Sequence, residues 1–208
     1  MKPTAIIFLS IEAGLLILIL GSFAFLSTHS RDFLLAKRQA TLPMLQPGVA
    51  VAFSEASDGD GTLLGNWDRS RPPGALAKER TAVLALKLPE GHASILTFDG
   101  RFLASAGVAR GVDVALDDQS VATLAVSNLS SDAECSWSIM VPPPATALSL
   151  LRFTVAPAAF TIGQKAPDQN RLMLGLAAMT MTTTAATARC DGGAGLEVIA
   201  NTPANSSR

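Results

Sequence analysis

The run from Ala5 to Leu26, AIIFLSIEAGLLILILGSFAFL, constrains this chain more than any other feature. At about 1.5 Å per residue, a helix of this length covers the roughly 30 Å hydrocarbon core of a bilayer. The sequence therefore predicts a membrane anchor over residues 1–26. The competing reading is a signal peptide, with Lys2 as its basic start and Ser22-Phe23-Ala24 as a small-x-small cleavage site. The run is longer than the usual h-region of about 7–15 residues, which favours the anchor. Arg31, Lys37 and Arg38, partly offset by Asp32, follow the span, so the charge rule leans towards a cytoplasmic domain. The short amino-terminal flank and the cysteine pair lean the other way. The expectation is a single-pass cell-membrane protein with an extracytoplasmic domain and membrane lipid as its first partner.

Glu12 stands inside the span, where ionisation costs several kcal/mol near the centre, so it should stay protonated, snorkel or find a partner. Phe8 followed by Glu12 at the head of an apolar helix resembles the start of mature type IV pilins and pseudopilins. That resemblance implies an envelope assembly subunit whose transmembrane helix meets a protein partner. The family's processing glycine is replaced here by Ile7.

Lys and Arg total 16 against 17 Asp and Glu, a net charge of −1, so there is no basic field for nucleic acid. Two His, two Cys and no Tyr leave few carriers for general-base, metal or phenolic chemistry, and no cofactor or metal is expected. His29 and His92 read as surface residues. The DGDG stretch at 58–61 invites calcium but fails the loop pattern, because Thr62 and Leu63 take the places of an oxygen ligand and the glycine.

Residues 27–48 turn polar and end in LPMLQPG, which predicts a juxtamembrane stalk. A globular domain should occupy residues 49–200, with residues 201–208 as a frayed tail. Within it, Val49–Phe53, Val121–Val126 and Ser136–Val141 read as strands. Ala75–Leu88 carries helix formers and then a buried strand, and Arg171–Met179 a short helix. Ser94–Phe98 and Arg101–Ser105 flank Asp99-Gly100, a hairpin signal. A bend at Ala106-Gly107 should then lead into a helix starting near Gly111-Val112-Asp113.

This stretch, with Asp99, Gly100, Arg101, Ser105, Ala106, Gly107, Val108, Gly111, Val112, Asp113, Ala115 and Leu116, resembles a segment late in the DJ-1/PfpI superfamily, the class I glutamine-amidotransferase-like fold. The resemblance implies an α/β fold, a parallel sheet flanked by helices, incomplete in this chain. It covers about a tenth of the sequence and makes Asp99, Gly100, Ser105, Gly107, Gly111 and Asp113 a family-like structural turn. The family's nucleophile is a Cys on a strand-to-helix elbow upstream of this segment, whereas Cys135 and Cys190 lie downstream. No catalytic residue is therefore assigned. The expected function is a binding or interaction module with an unknown small-molecule ligand; a pilin-like subunit and an amidotransferase-like hydrolase are the alternatives. Cys135 and Cys190 could close one disulfide across about 55 residues or stay as two buried thiols.

Overall fold

Alternation of burial, the signature of strands with one face in a core, marks several of the longer described segments. In Ser94–Leu103, Leu96, Phe98, Gly100 and Phe102 point inwards while Thr97, Asp99 and Arg101 point out. Ser149–Val155 repeats the pattern with Leu151, Phe153 and Val155 inside. The computed structural model describes residues 41–54, 61–65, 67–69, 74–103, 110–128, 132–146, 148–155 and 173–201.

These residues form short strands β1 (Ala50–Ala52), β2 (Leu63–Leu64), β3 (Trp67–Asp68) and β4 (Ala75–Ala77). Longer ones follow: β5 (Thr81–Leu86), β6 (Ser94–Leu103), β7 (Arg110–Leu116), β8 (Gln119–Ser127), β9 (Asp132–Val141), β10 (Ser149–Val155) and β11 (Met173–Thr182). The last two are β12 (Arg189–Cys190) and β13 (Gly195–Ala200). Among the described residues, every pairing between these strands is antiparallel. The first sheet runs β12-β9-β6-β11-β4-β3, with β1 sharing the β4 side of β11; the second runs β13-β8-β7-β10-β5-β2.

Taken alone, β4 to β11 alternate as β4-β11-β6-β9 in one sheet and β5-β10-β7-β8 in the other, which is the strand order of a jelly roll. The inner faces meet in one hydrophobic core. Phe98 and Phe102 of β6 lie against Trp137 of β9 at centroid distances of 5.7 and 5.3 Å, and Phe98 meets Phe153 of the opposite sheet edge-on at 5.6 Å.

This architecture overturns the α/β expectation and, with it, the DJ-1/PfpI resemblance. Asp99-Gly100 is not a turn: β6 runs straight through it, paired with β9 on one side and β11 on the other. Gly111 and Asp113, expected at a helix start, lie in β7, which belongs to the opposite sheet. Of Arg171–Met179, expected as a short helix, the described residues from Met173 onwards belong to β11, in the middle of the first sheet. A strand buried on one face by its neighbours overrides the helix propensity of its Leu, Ala and Met residues. Ser105 and Gly107 lie outside the described residues.

The expected anchor, with Glu12, also lies outside them. Among the described residues no helix is long and apolar enough to cross a membrane. The single-pass membrane placement, the lipid partner and the partner helix find no support among the described residues. The pilin-like alternative is replaced by the jelly-roll sandwich. Residues Leu42–Arg208 form one compact unit. Leu42 and Leu45 are buried in it, and the Leu45 and Gly48 amides donate to the Lys87 and Met181 carbonyls at 2.9 Å, so packing begins within the segment read as a stalk.

Candidate functional site

The outer face of the first sheet carries polar residues that alternate with the core-facing ones. Register fixes their rows. Arg189 of β12 stands beside Ser136 of β9, then Asp99 of β6, then Ala178 of β11. One step along, Glu134 stands beside Arg101 and Arg101 beside Gly175. The Asp191 amide donates to the Glu134 carbonyl at 2.9 Å, which brings Asp191 to the same row. Four neighbouring strands at about 4.8 Å spacing give these rows a span of roughly 14 Å.

A groove of about 530 Å³ lies here, lined by Asp99, Arg101, Glu134 and Ser136, by Arg189 and Asp191 at the β12 end, and by the small residues of β4 and β11. Gly175 keeps its floor low. A Cβ at Gly175 would lie 2.9 Å from Cγ of Arg101, so the arginine stem lies flat across β11 because that position is glycine. The Arg101 guanidinium reaches Asp132 only at 4.0 Å, with the Arg101 side chain 17% exposed. Asp99, Glu134, Arg189 and Asp191 are exposed. Among the described residues none of their side chains is committed to an ion pair or hydrogen bond.

Gly100 lies under this face but points the other way. A Cβ there would strike the Gly175 carbonyl oxygen and come within 2.9 Å of the Trp137 ring. Its small size lets the indole pack beneath the groove, and that close approach is the physical reason for a glycine which in the sequence looked like a turn.

Of the residues singled out from sequence, the structure brings Asp99, Gly100, Arg101 and Cys135 to the groove. It places Asp113 and Gly111 on the other sheet, where Asp113 accepts a 3.1 Å hydrogen bond from the Thr123 hydroxyl. Cys135 and Cys190 are disulfide-bonded, their Cα atoms 4.1 Å apart on directly paired positions of β9 and β12. Neither is a free nucleophile, which removes the amidotransferase-like hydrolase. His92 is exposed in a loop, its Nδ1 3.1 Å from the Glu90 carbonyl oxygen. Among the described residues no three His, Cys, Asp or Glu side chains form a metal-ligand set. Glu134, Ser136, Arg189 and Asp191 had no motif to reveal them; only the period-2 alternation of β9 places Glu134 and Ser136 on one face, beside Arg101 of β6.

No protein-family model and no curated protein matches the chain. Two solved structures resemble it. One is the CBM36-1 domain of a multidomain xylanase from the hindgut metagenome of Trinervitermes trinervoides, at TM-score 0.38 and 12% identity over 65% of this chain and 97% of that one. The other is a carbohydrate-binding module CBM36 in complex with calcium and xylotriose, at TM-score 0.37 and 8% identity over 64% and 99%. No family membership follows from values of this size.

Proposed function

We propose that this domain is a non-catalytic binding module that holds a short polyhydroxylated ligand, a saccharide chain, in the groove on the outer face of the first sheet. The observation that carries this reading is the set of exposed groups of Asp99, Glu134, Arg189 and Asp191, uncommitted among the described residues, beside the Arg101 guanidinium with its long 4.0 Å contact to Asp132, over a floor of small residues. A vicinal diol offers donors and acceptors together. Carboxylates such as Asp99 and Glu134 accept from it, and the guanidiniums of Arg101 and Arg189 donate to it in a planar fork. With acids and bases nearly balanced in number, an uncharged ligand is favoured over a strongly charged one.

Among the described residues, Phe53, Phe98, Phe102, Phe153 and Trp137 are buried and Trp67 is 9% exposed, so none offers a flat aromatic platform. Recognition then rests on hydrogen bonds, each worth about 0.5–1.5 kcal/mol net, and more where the group is charged. Among the described residues the groove's carboxylates are exposed, and no buried acid of the kind that serves as a proton donor lies beside them. That suits binding rather than turnover.

The test is a calorimetric or NMR titration of the chain with neutral oligosaccharides, xylotriose among them because one of the similar structures holds it. Saturable binding is expected, weakened at least five-fold by Asp99→Asn and by Arg101→Ala with the circular dichroism spectrum unchanged. Failure of every saccharide to bind, or equal binding by both variants, would refute the assignment.

A further inference from the structure

The β12 end of the groove is attached to the sandwich in an unusual way. After β11 ends at Thr182, the chain must pass β6 and β9 to reach the far edge of the same sheet. It does so as a strap over residues 183–193. Residues 183–187 and 191–193 are exposed, and only Ala188 and Cys190 are half-buried against the core. The strap touches down at few points. The Ala186 amide donates to the Ser138 hydroxyl at 2.9 Å, Arg189 and Cys190 pair with Ser136 and Cys135, and the Asp191 amide donates to Glu134. Gly192 and Gly193, at φ +71° and +79°, then turn the chain towards β13 in the other sheet. A segment with so little buried apolar surface has low local stability of its own. The covalent bond from Cys190 to Cys135 is its one strong attachment, and Arg189 and Asp191, which line the groove, flank that bond in sequence.

We propose that the groove is redox-conditional: the Cys135–Cys190 disulfide clips the strap onto β9, and thiol–disulfide exchange with a dithiol reductant releases it, carrying Arg189 and Asp191 away from the groove. The proposal rests on that groove being the ligand site. Cys190 is half-buried, the more accessible of the two, and Cys135 is buried at 5% exposure, so attack falls on the Cys190 sulfur. The reductant's thiolate bonds to that sulfur, the S–S bond breaks, and Cys135 leaves as a thiolate that takes up a proton. The reductant's second thiol then attacks the mixed disulfide and frees the Cys190 thiol. The protein gains two electrons and two protons, and the dithiol becomes a disulfide. Both sheets keep their other pairings, because β12 supplies only two residues at one edge.

Hydrogen exchange on the full chain, oxidised and in dithiothreitol, tests this alongside oligosaccharide titration in the same two states. Reduction should speed exchange of the Ala186 and Asp191 amides at least ten-fold while β6 and β11 keep their protection. It should also weaken saccharide binding at least five-fold, and reoxidation should restore both. The double variant Cys135→Ser/Cys190→Ser should match the reduced protein without reductant; should it fail to fold, reduction of the folded native chain is the deciding measurement. Unchanged strap protection would overturn the proposal, as would loss of protection throughout both sheets, which would make the disulfide a global staple. Strap release in a protein that binds no saccharide in either state would support the clip and refute only the ligand reading.

Discussion

Gly100 and Gly175 occupy neighbouring strands but guard opposite faces, and their substitutions should separate stability from binding. A methyl group at Gly100 meets a backbone carbonyl and the Trp137 ring, neither of which can move cheaply within a packed core. Gly100→Ala should therefore destabilise by about 1–3 kcal/mol, read as a lower urea midpoint with an unchanged slope. A methyl group at Gly175 meets the flexible Arg101 stem, so Gly175→Ala should cost under about 1 kcal/mol but displace the guanidinium and weaken oligosaccharide binding. Asp99-Gly100 shows what single residues hide. The dipeptide is a good turn signal, yet a glycine inside a strand marks close approach equally well, and the neighbour that decides between them, Trp137, lies 37 positions away.

Elements were legible where the period of two is clean. Val121–Val126 and Ser136–Val141 were expected as strands and lie within β8 and β9. β7 carries the same alternation, with Val112, Val114 and Leu116 buried, but the family-like reading of Gly111-Val112-Asp113 as a helix start displaced it. β11 was missed because its composition favours a helix, and what makes it a strand is pairing on both sides with partners far away in sequence. The β7–β8 hairpin shows local chemistry that pays off only through a third strand. Asp117 and Asp118 turn it at φ +48° and +68°, and the Asp117 carboxylate accepts the Leu150 amide of β10 at 2.7 Å. Asp117→Ala removes that acceptor and places a less tolerant residue at positive φ, so a loss of about 1–3 kcal/mol is expected in thermal or urea unfolding. Asp118→Gly relieves the backbone but gives up the exposed ion pair with Arg152, worth at most about 1 kcal/mol, and should be close to neutral.

At the scale of the whole molecule, the groove draws on β6, β9, β11 and β12, with Gly74 and Ala75 at one rim, so its residues spread from position 74 to position 191. No motif of fixed spacing could announce it. The same long-range wiring dictates which parts of the chain are dispensable. β11 lies inside the first sheet, paired with β6 along one edge and with β4 and β1 along the other, and it supplies Leu174, Leu176, Met179 and Met181 to the core. A chain stopped after residue 172 leaves both of those edges unpaired and the apolar surface beneath them open to water, a template for aggregation. It should be recovered only as insoluble protein. A chain stopped after residue 182 keeps β11 and loses two edge strands and the disulfide. It gives up the six pairings of β13 with β8 and the apolar side chains of Leu196 and Val198 that pack against the core. The longer truncation should therefore be soluble and folded at low temperature, with a urea midpoint well below that of the full chain and no saccharide binding, since Arg189 and Asp191 are gone. Equal solubility of the two truncations would contradict the central place of β11 in the sheet.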